Sequence, residues 1–209
     1  MEKDLFLITQ DGSPFFVTNI KLRFKEPIKI DLPIKQLMTE LQERGAHDLK
    51  RRNNLLIFRF RDFCYTLLTS GHLNITGIKT EHQVLLAIRS LSELLPRALE
   101  KPVESIILTL DNITASGRLS QRPIAHFSKV MRTFCQKHNL SDSAHFSPEL
   151  FSGYSIKTDY GTLVFFQTGS INIFGVRHFC DAEFHRSLIN SFIREVNIQS
   201  HGKESSWVQ

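Results

Sequence analysis

In the run "VTNIKLRF" (17–24), Asn19, Lys21 and Arg23 alternate with Ile20, Leu22 and Phe24. One side of such an extended segment is apolar, and the other carries an amide and two cations. Asn74 and Thr76 alternate with Ile75 in "LNITG", and Asn172 alternates with Ile173 in "INIFG". A large open sheet face of amides, hydroxyls and cations is the chemistry of a binding surface rather than of bond making. Catalytic signatures are missing from the sequence. It has no nucleophile elbow, phosphate-cradling glycine loop or paired carboxylates. His178, Asp181 and His185 have the spacing of one helix face and imitate metal ligands, but with no fourth ligand in sight. The expectation is a protein that is not an enzyme and needs no cofactor or metal.

Composition agrees with a binding protein. The 209 residues are 41% hydrophobic, enough for one large or two small cores, and the net charge of +5 permits a polyanionic partner. Three cysteines without CxxC spacing read as free thiols of a reducing compartment. No apolar run is long enough to span a membrane, and "MEKDLFLITQ" lacks the order of a signal peptide. For that reason Asn74-Ile-Thr76 and Asn112-Ile-Thr114 carry little weight as glycosylation sequons.

The elements that must position these residues occur twice. "SGHLNITG" (70–77) returns as "TGSINIFG" (168–175), 98 positions later, and "IFRFRDFCYTLLTSG" (57–71) falls without a gap on "SIKTDYGTLVFFQTG" (155–169). Each stretch predicts two strands, a turn and a third strand, then a helix. The first helix opens on a Thr80/Gln83 capping box, carries an apolar stripe of Val84, Leu85, Ile88, Leu91 and Leu95, and stops before Pro96. The second carries Phe184, Leu188, Phe192, Ile193 and Val196. Upstream, "ESIILTLD" (104–111) is the expected counterpart of 17–24, at an offset of 86, which leaves about twelve extra residues in the second copy. Helices follow, through Ile34, Leu37, Met38 and Leu41 in one copy and Ile124, Phe127, Met131 and Phe134 in the other. By parity, Thr66, Leu68, Val164, Phe166 and Phe174 join the asparagines on the face that helices leave open.

These residues resemble the TATA-box-binding protein (TBP) family. "FSPELFSG…TLVFFQTGSINIFG" (146–175) is similar to its second repeat, "RFRD…LLTSGHLNITGIKTE" (59–81) to its first, and "TNIKLRFKEPIKIDL" (18–32) to its opening. The resemblance implies an α+β fold: a saddle of two pseudo-symmetric repeats (15–98 and 99–198, with a tail at 199–209) whose curved antiparallel sheet carries helices on its convex face. The family is itself a standing example of proteins that enter the minor groove and kink DNA with apolar wedges. Its phenylalanine pairs fall here on Phe151 and Phe166, and in the first repeat on Asn53 or Asn54 and Leu68. Its groove asparagines fall on Asn19 and Ser105, its threonines on Thr76 and Phe174, and two groove valines on Asn74 and Asn172. Arg59, Lys157, Lys79 and Arg177 occupy places of phosphate-binding residues, with Lys21 and Arg23 adding charge to the face. Glu149 and Leu150 fall in the loop that engages transcription factor IIB. The implied function is a transcription initiation factor that binds promoter DNA in the minor groove, recruits a factor-IIB-like partner, and works in the nucleus or a viral compartment of transcription. The alternative is a paralogue that keeps the fold as a protein-interaction module with weak or no DNA bending.

Overall fold

The computed structural model describes residues 3–28, 32–95, 108–120 and 123–201. In chain order its elements are β1 (Leu5–Ile8), β2 (Pro14–Phe24), α1 (Ile34–Glu43), β3 (His47–Arg52), β4 (Leu55–Phe60), β5 (Phe63–Leu68), β6 (Leu73–Ile78) and α2 (Glu81–Leu94). Then come β7 (Leu108–Arg118), α3 (Phe127–Lys137), β8 (Ala144–Ser147), β9 (Phe151–Thr158), β10 (Gly161–Phe165), β11 (Ser170–Val176) and α4 (Ala182–His201). The chain divides into two compact units, one of residues 1–4 and 18–113, the other of residues 5–17 and 114–209.

In the first unit the strands pair antiparallel in the order β3-β4-β5-β6-β2. Leu56, Phe58, Tyr65, Leu67, Leu73, Ile75, Ile20 and Leu22 are buried on one sheet face. Alternation along each strand produces that face. The α2 helix covers it with Ala87, Ser90, Leu91 and Leu94. The Tyr65 hydroxyl donates to the Ala87 carbonyl at 3.0 Å, and burial pushes its phenol well above the usual range. Half of the expected capping box forms: the Thr80 hydroxyl accepts from Gln83 N–H, but the Gln83 side chain accepts from the N–H of Lys79, one residue before the cap, and not from that of Thr80.

The second unit repeats the plan, with the later residues of β7 (114–118), then β11, β10, β9 and β8 in order, and with β1 paired antiparallel to the first residues of β2. Phe134 on α3, Phe165 on β10 and Phe192 on α4 form a cluster with ring centroids 4.7–6.2 Å apart. The 98-residue offset holds for the buried positions, since Leu73, Ile75 and Ile78 answer to Ile171, Ile173 and Val176. It holds for the turns as well. Leu68 N–H donates to His72 O and Gly71 N–H to Leu68 O, as Phe166 N–H does to Ser170 O and Gly169 N–H to Phe166 O. Gly71 and Gly169 have φ of 85° and 79°, a left-handed conformation that a side chain disfavours, so both copies keep glycine there.

Three expectations need correction. The counterpart of β2 is β7, at 108–118 and not 104–111; residues 104–107 lie outside the described residues. Buried Ile20 and Leu22 answer to buried Ile113 and Ala115, 93 positions on, so the second copy has about five extra residues before β8 rather than twelve. The buried stripes of α2 and α4 are turned from those expected. Leu85 is 58% exposed, while Ala87 and Ser90 are fully buried, because small side chains let the helix lie close to the sheet. In α4 His185 and Ile189 take the buried places beside Phe192, with Phe184 and Leu188 only half-buried. Finally, His178 and Asp181 belong to the turn before α4, where Asp181 accepts from His178 N–H, so they do not share a helix face with His185. No metal-binding cluster forms among the described residues.

Candidate nucleic-acid interface

The face opposite α2 is the candidate surface of the first unit. Cross-strand register lines up Ile57, Thr66, Asn74 and Arg23 across four strands, and Arg59, Cys64 and Thr76 across three. Leu55 stands opposite Leu68, making a small apolar patch at one end of this face. All but the exposed Arg59 and Arg23 are half-buried, as expected of groups on an open pleat. Asn19 is held from the side, because its Oδ1 accepts the Gly77 N–H at 2.7 Å. That bond fixes the bulged end of β6, where Gly77 has a φ of 92°.

The cations are not all equally available. Lys21 Nζ lies 2.6 Å from Asp111 Oδ2, and Arg23 Nε lies 4.0 Å from Asp111 Oδ1. With Leu68, His72, Asn74 and Thr109 these three line a cavity of about 490 Å³. Arg59 pairs with the exposed Asp48 at 3.7 Å, a contact weak enough to exchange for a phosphate.

In the second unit the open face is greasier. Val164 stands between Ser155 and Asn172, and Thr162 between Lys157 and Phe174. Phe151 and Phe166 come together edge to face, with centroids 5.7 Å apart and planes at 75°. Phe151 is nonetheless 52% exposed. Gly153 makes the room for it: a Cβ there would lie 2.5 Å from the Phe151 ring and 2.6 Å from Val164 Cγ1. Val164, on the same outward face, is only 6% exposed. Phe174 adds a half-exposed ring, and Lys157 lines a cleft of about 850 Å³ with Ser155, Thr162, His145 and Tyr160.

Among its described residues the first unit has no such pair. Asn53 and Asn54 form the two-residue turn joining Arg52 to Leu55, and Asn53 has a φ of 46°. Asparagine is there for the turn. Between β8 and β9 the turn is Pro148, Glu149 and Leu150, closed by Leu150 N–H donating to Ser147 O. Glu149 is exposed, and Leu150, at 86%, is the most exposed large apolar residue described.

One surface residue escapes the sequence reasoning. Asn112 precedes Ile113 as Asn19 precedes Ile20, so with the corrected register Asn112, and not Ser105, is the second copy's equivalent of Asn19. Ser105 itself lies outside the described residues. The repeated Asn-Ile pair was the available signal, hidden by its reading as a sequon.

This geometry has a counterpart among solved structures. Methanococcus jannaschii TBP superposes with a TM-score of 0.63 over 87% of this chain and 98% of that one, at 18% sequence identity. The chain has a TBP-like fold. A rolling circle replication initiator protein from Geobacillus stearothermophilus (TM-score 0.36, 8% identity, 84% of this chain and 80% of that one) is far less similar. So is the regulatory subunit of aspartate kinase from Thermus thermophilus (0.27, 10%, 88% and 97%). No family model matches the sequence, and no curated protein does.

Proposed function

We propose that this chain is a DNA-binding initiation factor that uses its open sheet faces in the minor groove and recruits a factor-IIB-like protein through Glu149 and Leu150. Its place of work on this reading is the nucleus, or the compartment of viral transcription. The observation that carries the reading is the Phe151–Phe166 pair, half-exposed on the open sheet face of the second unit, with Gly153 beside it. Unstacking a base step costs on the order of a few kcal/mol, and an inserted apolar wedge offsets that loss. Asn19, Thr76, Asn172 and Phe174 supply groove contacts, while Arg59 and Lys157 supply phosphate contacts.

The alternative, an interaction module with weak bending, draws on the first unit, where an asparagine turn replaces a wedge and Asp111 occupies two cations. The two readings differ in one measurement. On a duplex selected from random sequence, bend analysis should place the kink at the end under the second unit. Phe151→Ala with Phe166→Ala should remove most of it, and Leu68→Ala should change it little. Tight binding without a bend would favour the module, and an undiminished bend in the double variant would refute the wedge assignment.

A further inference from the structure

The cavity under Lys21 and Arg23 contains two acceptor groups that a simple phosphate-binding surface would not have. One is the Asp111 carboxylate, against Lys21 and near Arg23, with 27% of its side chain exposed. The other is Asn74 Oδ1, which is buried and has no hydrogen-bond donor. Both line the same space as Leu68 and His72. An unpaired buried acceptor is costly, and the amide torsion of asparagine is soft enough to turn toward a donor that arrives. A carboxylate on a DNA-facing surface repels phosphates and the acceptor-lined floor of A·T minor groove. Only one standard base offers a donor there: guanine, through its exocyclic amino group, beside the N3 acceptor. The cavity has the matching pattern, with acceptors at Asp111 and Asn74 and donors at Lys21 and Arg23.

From this arrangement we infer that Asp111, with Asn74, selects a guanine amino group in the minor groove beneath the first unit. The inference rests on the minor-groove reading above and makes the two halves of the site unlike. The second unit, with Phe151, Phe166 and Val164, suits a deformable A·T-rich step, whereas the first unit requires a G·C pair.

The test uses base analogues that change only that amino group. At each position of the half-site under the first unit, G·C is replaced by inosine·C, which lacks the amino group, and A·T by 2,6-diaminopurine·T, which adds it. Hydrogen bonds to charged acceptors correspond to roughly tenfold or more in affinity. The full chain should lose about tenfold on one inosine substitution and gain a similar factor on diaminopurine at that position. Asp111→Ala should remove this discrimination and bind inosine duplexes more tightly than the parent, because two cations are released. Binding that is indifferent to the amino group, or discrimination that survives in Asp111→Ala, overturns the inference and leaves the minor-groove reading intact. Failure to bind any duplex overturns both. The analogue measurements on the unaltered chain decide the matter even if the variant folds poorly.

Discussion

Gly153→Ala isolates the device that presents Phe151. The added methyl would sit 2.5 Å from Cε1 and 2.9 Å from Cζ of Phe151, and 2.6 Å from Val164 Cγ1. Ordinary carbon contacts lie at about 3.5–4.0 Å, so something must move by ~1 Å. Val164 is buried between Ser155 and Asn172, whereas the Phe151 ring is half-exposed at the start of its strand, so the ring yields. The edge-to-face pairing with Phe166 is then lost, at about 0.5–1.5 kcal/mol. For a chain of this size that lowers Tm by roughly 2–4 °C per kcal/mol. Both phenyl rings remain in the sequence, yet DNA bending should fall as far as in Phe151→Ala. Nuclear Overhauser contacts between the two rings report on the free protein, and bend analysis reports on the complex. Retained ring contacts with normal bending would show that Gly153 does not set the ring. A Tm loss beyond about 10 °C would mean that the sheet at Val164, and not Phe151, takes up the methyl.

The second unit should lose stability in mild acid. His185 is fully buried against Phe6 and Phe184, its Nε2–H donates to Tyr160 O at 3.1 Å, and its Nδ1 has no partner. Burial holds the imidazole neutral below its ordinary pKa near 6.5, only partly opposed by the Tyr160 bond and the nearby Asp181. The unfolded chain therefore binds the proton first. Stability is complete above about pH 6.5 and falls below it by at most about 1.4 kcal/mol per pH unit; denaturant titrations at pH 7 and 5 check this, and His185→Gln should flatten the trend. The left-handed glycines should separate by surroundings. Gly71→Ala drives a methyl into the Ile28 carbonyl oxygen at a φ of 85°, whereas Gly175→Ala at 74° meets only Gly161 Cα at 3.8 Å. Thermal unfolding should show about 1–2 kcal/mol of strain for Gly175→Ala and distinctly more for Gly71→Ala.

What was legible in the sequence followed periodicity and turn chemistry. Strand alternation put Ile20, Leu22 and Phe24 inward and Asn19, Lys21 and Arg23 outward, and the Ser-Gly and Thr-Gly turns fixed the 98-residue register. Helix faces were less legible, because an apolar stripe counts Leu85 and overlooks Ala87 and Ser90, although closeness to a sheet selects small residues. The β7 strand was misplaced because "SIILTL" is more apolar than "DNITASGR", yet the latter runs on as strand to Arg118. Within the site, the residues of the aromatic pair were visible and their seating on Gly153 was not, since it depends on the register of two strands, β9 and β10. Asp111 was invisible for a similar reason: nothing local tells that a carboxylate ninety residues from Lys21 will face it.

The division of the chain has a consequence for its biosynthesis. Residues 5–17 belong with 114–209, so the N-terminal hairpin leaves the ribosome long before its partners exist. Gln10, whose backbone N–H donates to the side chain of Asn190, must wait for a partner 180 positions further along the chain. The first unit can close as soon as residue 113 has emerged, while Phe6, Leu7, Phe15 and Val17, all buried in the finished protein, remain uncovered. Such transiently exposed apolar surface is where chaperones act and aggregation begins.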